Sequence, residues 1–429
     1  MKNIENIEEN GKKRIVIVGG GFAGLTLLKT VNRKKYQIVL IDKNNYHQFQ
    51  PLYYQVATAG LEPSAIAFPL RKIMQHHKDF HFRLAEAQRV DTEKNELHTT
   101  IGKIRYDHLV LAMGATSNYF GMKDVERNSI PMKSLEEALY LRNVIILNFE
   151  EALNYPDPAK VEHLFNICIV GGGPTGVELA GALAEMKKYV LPKDYPELSF
   201  GSMKIFLVEA NAKILNTMSE DASVKARQFL ENQDVNVMTN AHVKNFDGFK
   251  LSFADGSFLP TKTVIWAAGI RANKIEGLKE DLFLGNGRVN VDEFNRINGC
   301  SNVYALGDQA AMRMEGLPGG HPQVAQPAIQ QALCLARNIE RADKSAALVP
   351  FKYKDKGTLA TIGRHLAVAD LPYLKFQGFF AWILWGFVHL FAILGMKNKM
   401  TILIDWVWHY FSYDQALRLL IGRKRTTYL

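Results

Sequence analysis

Two short segments of the chain carry the same glycine spacing, GGGFAG at 19–24 and GGGPTG at 171–176. Each fits G-x-G-x-x-G, and the chemistry it suits is the binding of a dinucleotide pyrophosphate. Gly19 and Gly171 permit a tight turn. Gly21 and Gly173 let a pyrophosphate approach the backbone, and Gly24 and Gly176 let a helix pack closely on a sheet. Phe22 and Ala23 in the first turn, and Pro174 and Thr175 in the second, open that helix, whose unpaired N–H groups and positive dipole end attract phosphate. An acid follows each turn, Asp42 and Glu209, placed to accept hydrogen bonds from a ribose hydroxyl. A carboxylate also repels a 2′-phosphate, so Glu209 favours NAD(H) over NADP(H). Asp42 stands near the expected distance of ~20 residues. Glu209 stands farther on, and residues 189–202 read as an insertion.

The elements that must position these groups are legible as periodic runs. Residues 14–18 form a short β-branched run, read as a buried strand of a parallel sheet. A helical pattern follows from Leu25, then a second strand over 37–41 that ends at Asp42. The pattern returns as a strand at 166–170, a helix at 177–184 and a strand at 204–208 that ends at Glu209. Two copies roughly 150 residues apart are too widely spaced for a solenoid and mean two nucleotide-binding domains. Further strands at 106–112 and 263–268 run toward Gly114 and Gly269. Another, from Val303, ends in Gly307-Asp308, where an acid suits a ribityl hydroxyl or a phosphate. Domain junctions are expected near 125–135 and 270–285. The fold class is therefore α/β, with two Rossmann-like dinucleotide-binding domains, the second inserted in the first.

Composition narrows the partners. The 429 residues carry a formal charge of +9 with 47% apolar content, which describes a globular chain. No nucleic-acid motif accompanies the basic excess, so lipid and nucleotide are the expected partners and nucleic acid is not. Cys168, Cys300 and Cys334 are far apart and form no CxxC. They read as small buried apolar residues, neither disulfide framework nor metal site. Residues 1–13 are polar and unlike a secretory signal.

Six segments together resemble the type II, non-proton-pumping NADH:quinone oxidoreductases of the two-dinucleotide flavoprotein group. They are IVIVGGGFAG at 15–24, FQPLYYQVAT at 49–58, YDHLVLAMGA at 106–115, VGGGPTGVE at 170–178, ALGD at 305–308 and AQPAIQ at 325–330. The last fits the family's AQxAxQ pattern. The resemblance runs from about residue 13 to the C-terminus. It implies non-covalent FAD at the first turn, with Asp42, Lys43, Thr58, Gly114 and Asp308 among its contacts. It implies NADH as substrate at the second turn, with Glu209 and Gly269, and a membrane quinone, ubiquinone or menaquinone, on the flavin's other side. Gln326 and Gln330 would line the quinone site, although residues 324–335 alone read as an ordinary helix with polar spots. Glu178 sits just past Gly176, where the helix dipole favours a carboxylate. The resemblance places its counterpart near nicotinamide and flavin, in proton delivery, a task that a raised pKa would suit. Residues 45–60 hold no cysteine, so a thiol relay is not expected and direct hydride transfer to flavin remains.

The C-terminus supplies the membrane argument. Residues 376–394 are almost wholly apolar, about the length that spans a bilayer. Lys397 and Lys399 follow, read as interface anchors. Along 400–411 and the next residue, Thr401, Asp405, His409 and Ser412 form a polar stripe on an apolar helix. Four of the five tryptophans, Trp382, Trp385, Trp406 and Trp408, fall here and suit a lipid–water interface. His389 reads as a satisfied buried histidine. Arg418, Arg423, Lys424 and Arg425 suit an anionic leaflet. The residues allow a transmembrane hairpin, helices lying in one leaflet, or a dimer seam; the resemblance implies the second. The expected segments are 12–130 and 276–365 for FAD, 131–275 for NADH and 366–429 for membrane-associating helices. The expected location is the cytoplasmic face of the cell membrane, as a homodimer. Two other readings remain: a flavin- and NADH-binding signalling protein, and an NADH-dependent reductase of a soluble acceptor.

Overall fold

A strand of β-branched residues, KRIVIV at Lys13–Val18, is buried beyond its first residue and forms the centre of a parallel sheet. It pairs with Tyr36–Asp42 on one side, Ile15 opposite Ile38 and Ile17 opposite Leu40, and with His108–Leu111 on the other. Val303–Ala305 and Phe80–Leu84 complete the five strands at the two edges. Strands buried on both faces need not alternate in polarity, which is why these read as continuous apolar runs. The computed structural model describes residues 2–4, 6–75, 77–155, 157, 161–412 and 417–420. Arg423, Lys424 and Arg425 lie outside them.

The chain divides into two units. The first comprises Met1–His47, Phe68–Thr116 and Ile270–Asp355. It holds the sheet just described, with the helices Phe22–Thr30 and Ala325–Ala342 packed on one another.

The second comprises Gln48–Ala67, Ser117–Gly269 and Lys356–Leu429. Its middle piece lies in sequence inside the first unit. A second five-stranded parallel sheet runs Ile130–Pro131, Thr263–Trp266, Ile167–Val170, Ile205–Val208 and Val235–Met238. The helix Leu135–Ala152 opens on a capping box, Ser134 accepting from the Glu137 amide while Glu137 returns to the Ser134 N–H. Residues 189–202, read as an insertion, hold two short turns, Leu191–Asp194 and Phe200–Ser202.

The C-terminal part departs from one apolar span. Residues 375–377 pair as a strand with Ala367–Asp370, and Gly378 turns the chain at a φ of +80°. That break leaves a helix of 14 residues, Phe379–Ala392, followed by Met396–Ser412. Among the described residues no helix is long and apolar enough to cross a membrane. The Met396–Ser412 helix is tied to the same unit by Asn398, which donates to the Ser64 and Ala67 carbonyls at 3.3 Å. Phe380, Phe387, Phe391, Ile404, Trp408 and Phe411 of these two helices stay exposed.

Candidate dinucleotide turns and an aromatic cavity

In each unit the glycine turn joins the central strand of the parallel sheet to a helix. Gly19 has a φ of +102° and Gly171 of +117°, conformations open to glycine and strained for other residues. A Cβ on Gly24 would collide with the Gly19 carbonyl oxygen, and one on Gly176 with that of Gly171. Gly21 and Gly173 behave oppositely. A Cβ there meets nothing within 4 Å, and neither helix N-terminus is capped by a side chain. Open space over uncapped amides fits a pyrophosphate.

Both acids do something that motif spacing does not reveal. Asp42 Oδ2 accepts the Gly20 N–H at 2.5 Å and Oδ1 that of Asn44 at 2.7 Å. Glu209 Oε2 accepts the Gly172 N–H at 2.7 Å, and Oε1 accepts from the Asn211 backbone and side chain. Each carboxylate therefore clamps the middle of its own glycine turn. Burial pushes the Asp42 carboxyl up, against the pull of the Asn44 and Gly20 amides. His47 was not singled out by sequence. Its Nδ1 lies 2.8 Å from the Gly20 carbonyl, and its ring meets Phe22 edge-on.

The remaining residues expected at the first site fall in the first unit, except Thr58. Lys43 is exposed beside Asp42. Gly114 has a φ of +67°, and its carbonyl accepts from Asn273. Asp308 is half-buried, its carbonyl held by the Gln323 amide and its charge felt by buried Arg288. The AQPAIQ segment opens the Ala325–Ala342 helix. Gln330 makes a reciprocal pair with the Lys354 backbone, donating at 2.8 Å and accepting at 3.0 Å. Gln331, outside the motif's two glutamines, accepts the Gly307 N–H at 2.7 Å and so ties the helix to the Gly307-Asp308 turn.

Glu178 lies within the second unit, five residues into the Pro174–Tyr189 helix. That is the second turn, one farther than the sequence suggests, because the helix already begins at Pro174. It is 7% exposed, and burial pushes its carboxyl up to about 8 against the Thr361 amide and the Trp385 indole. It borders a cavity of about 450 Å³ that the second unit builds alone. Thr58, Tyr54, Gln55 and Glu185 share that wall, closed by aromatic and aliphatic side chains of the two C-terminal helices. Thr58 Oγ1 donates to the Tyr54 carbonyl. Gly269 also falls in this unit, with a φ of +95° and the Phe120 ring close against it.

The polar stripe of the last helix faces inward in part: His409 lines the cavity. Burial raises the Asp405 carboxyl, reinforced by the charge of Glu62. Two basic residues of the C-terminal part make contacts within the chain. Lys399 donates to the Phe391 carbonyl at 2.8 Å and so caps the preceding helix, while Lys397 is exposed. Arg418 pairs with Asp194. His389 is satisfied by the Trp385 carbonyl at 2.8 Å and stacks on that ring. Cys168 and Cys334 are buried, Cys300 half-buried, and burial pushes the Cys168 thiol up to about 12.

The model of the pyridine nucleotide-disulphide oxidoreductase family matches residues 13–332, and that of the NDH2 C-terminal domain matches residues 356–412. The type II NADH:quinone oxidoreductase NdhA of Mycobacterium tuberculosis is 35% identical over 92% of this chain and 87% of its own length. The chain belongs to the type II NADH:quinone oxidoreductases. A second type II enzyme of that organism, Ndh, is 33% identical over 94% of the chain and 89% of its own length. In fold, the chain is similar to NDH2 from Plasmodium falciparum in complex with NADH. The TM-score is 0.87 at 22% identity, covering 96% of this chain and all of that one. A sulfide:quinone oxidoreductase from Aquifex aeolicus shares the fold at a TM-score of 0.71, 18% identity and 96% coverage of both chains. The type II fold thus comprises two Rossmann-like parallel sheets and C-terminal helices.

Proposed function

We infer that this chain is an FAD-dependent NADH:quinone oxidoreductase. The observation that carries the reading is the aromatic cavity, which shares a helix with the second dinucleotide turn and holds Glu178 in its wall. FAD, when bound, supplies the two-electron chemistry, taking hydride from NADH and returning electrons to quinone. The protein's part is to bind, orient and deliver protons.

The first turn, with Asp42 and Asp308, is proposed to hold FAD, and the second, with Glu209 and Gly269, to hold NADH. Residues 12–130 with 276–365, and residues 131–275, are the proposed FAD and NADH segments. Gln326 and Gln330 are assigned to the quinone site by resemblance. Gln330 also holds the Lys354 backbone. Glu178 holds a proton near neutral pH, in reach of a molecule in the cavity. Glu209→Gln removes a negative charge and one of the two acceptor oxygens that hold Gly172 and Asn211. It is expected to narrow the preference for NADH over NADPH by about tenfold or more, read as the ratio of the two kcat/KM values. An unchanged ratio would remove Glu209 from the ribose.

Quinone is a lipid-soluble substrate and NADH a water-soluble one, so the enzyme is proposed to work at a membrane surface. The proposed place is the cytoplasmic face of the cell membrane, as a homodimer. Exposed phenylalanines on the C-terminal helices support lipid contact. Changing Phe380 and Phe391 together to serine is expected to lower partitioning onto lipid vesicles about tenfold or more. Flavin reduction by NADH is expected to keep its rate. Undiminished sedimentation with vesicles would remove this face from the membrane.

The function itself is tested by the choice of acceptor. Steady NADH oxidation with a short-chain quinone, and little with a ferredoxin-type protein, is expected. The reverse preference would assign the chain to a soluble acceptor.

A further inference from the structure

One polar chain in the cavity wall is explained neither by the glycine turns nor by Glu178. The short helix Tyr53–Ala57 brings Tyr54 and Gln55 to the cavity, and the Met396–Ser412 helix brings Trp406 to them. Trp406 Nε1 donates to Gln55 Oε1 at 2.8 Å, and Gln55 Nε2 donates to the Tyr54 hydroxyl oxygen at 2.8 Å. Donor chemistry sets the direction of both bonds. An indole N–H only donates, so Gln55 must turn its carbonyl oxygen to Trp406. The amide NH₂ is then what faces Tyr54, and it too only donates. The phenol oxygen therefore accepts from Gln55, and the phenol proton must be directed elsewhere.

Bulk water is a poor destination, because Tyr54 is 5% exposed. Two carboxyl groups sense the phenol, Glu178 and Glu185, seven residues apart on one face of the Pro174–Tyr189 helix. Both border the cavity, and the Glu185 carboxylate already accepts the Arg364 backbone N–H. Burial and these neighbours hold the Tyr54 hydroxyl well above its ordinary range, so it stays a neutral donor across the working pH range. Most of the rest of the wall is apolar, with Phe379, Trp382, Ile383, Trp385 and Leu390, beside the polar Arg364 and His409. A neutral O–H in an apolar wall matches a neutral carbonyl on a flat apolar ring.

We propose that Tyr54 donates a hydrogen bond to a carbonyl oxygen of the quinone in this cavity, with Gln55 and Trp406 as positioning residues that aim its O–H. The proposal rests on the reading of this cavity as the quinone site. Tyr54 keeps its proton throughout, and the two protons of quinone reduction come from other groups. Because Trp406 belongs to the C-terminal helices, this contact joins residues that are 351 positions apart.

The test uses full-length, FAD-loaded enzyme with Tyr54→Phe, Trp406→Phe and the double variant. Flavin reduction by NADH serves as the control for folding. A short-chain quinone gives KM and kcat, and difference infrared spectra give the carbonyl stretch of the bound quinone. The wild type is expected to show one carbonyl band shifted to lower frequency. Tyr54→Phe should lose that shift and raise KM about three- to tenfold, with flavin reduction by NADH at its normal rate. Trp406→Phe should weaken the shift, and the double variant should be no worse than Tyr54→Phe alone. A shifted band that persists in Tyr54→Phe with an unchanged KM overturns the proposal and leaves the quinone site standing. Additive effects of the two substitutions overturn the positioning role of Trp406. Failure of quinone to reoxidise the wild-type flavin overturns the quinone reading and this proposal with it.

Discussion

Gly24→Val is expected to yield a protein that purifies without flavin. A Cβ at this position runs into the Gly19 carbonyl oxygen, and the obstacle is backbone, which cannot rotate away as a side chain would. The helix Phe22–Thr30 must then lift from the Lys13–Val18 strand or the turn must open. Either movement displaces the amides that would face a pyrophosphate. Overpacking of this kind costs about 1–3 kcal/mol in ordinary cores, and a rigid obstacle places it at the upper end. The measurement is flavin absorbance per mole of protein, with thermal unfolding beside it. A flavin content equal to wild type would mean that the first turn does not hold the cofactor. Gly176→Val, the matching change in the second unit, should spare flavin content and raise the KM for NADH. The pair separates the two dinucleotide sites.

Glu178→Gln should have the second large effect. The buried carboxyl titrates at about 8 rather than at its ordinary 4.5. In the wild type, reoxidation of flavin by quinone is therefore expected to be steady near pH 6 to 7 and to fall as pH rises through about 8, where the donor proton is lost. Glutamine carries no transferable proton, so the variant should be slower by about a hundredfold at neutral pH and should lose that inflection. An inflection that survives the substitution would assign the proton to another group. The same shift has a sign for stability. Below the unfolded value of 4.5 both states are protonated and the group is neutral toward folding. Between there and about 8 the unfolded chain ionises while the native state holds its proton, so stability falls with rising pH. Glu178→Gln removes that loss, and its melting temperature should gain on wild type from pH 5 to pH 9. A constant difference would mean the carboxyl is less buried than its position indicates.

Much of the fold was legible because glycine spacing and strand polarity act over a few residues. The runs at Lys13–Val18 and Ile167–Val170 are β-branched, each ends at a G-x-G-x-x-G turn, and each returned as the centre of a parallel sheet. The clamps on Gly20 and Gly172 were not legible, because a motif states which residue lies near a ribose and is silent on what else its second oxygen holds. The break in the apolar run at 376–394 was hidden for a related reason. Hydropathy does not mark where strand pairing ends, and here it ends inside the run, at Gly378. The Lys399 bond to the Phe391 carbonyl was not legible, because it exists only once the two helices fold back on each other. Tyr54, Gln55 and Trp406 were beyond reach. Tyr54 and Gln55 lie in a segment that carries the family resemblance, Trp406 in the tryptophan-rich tail, and the hydrogen bonds that join them depend on tertiary folding.

The most direct test of the central claim is stopped-flow flavin absorbance on purified protein, mixed first with NADH and then with a short-chain quinone. Fast bleaching by NADH, followed by fast recovery on addition of quinone, is the result predicted. Bleaching without recovery, or no bleaching at all, would contradict it.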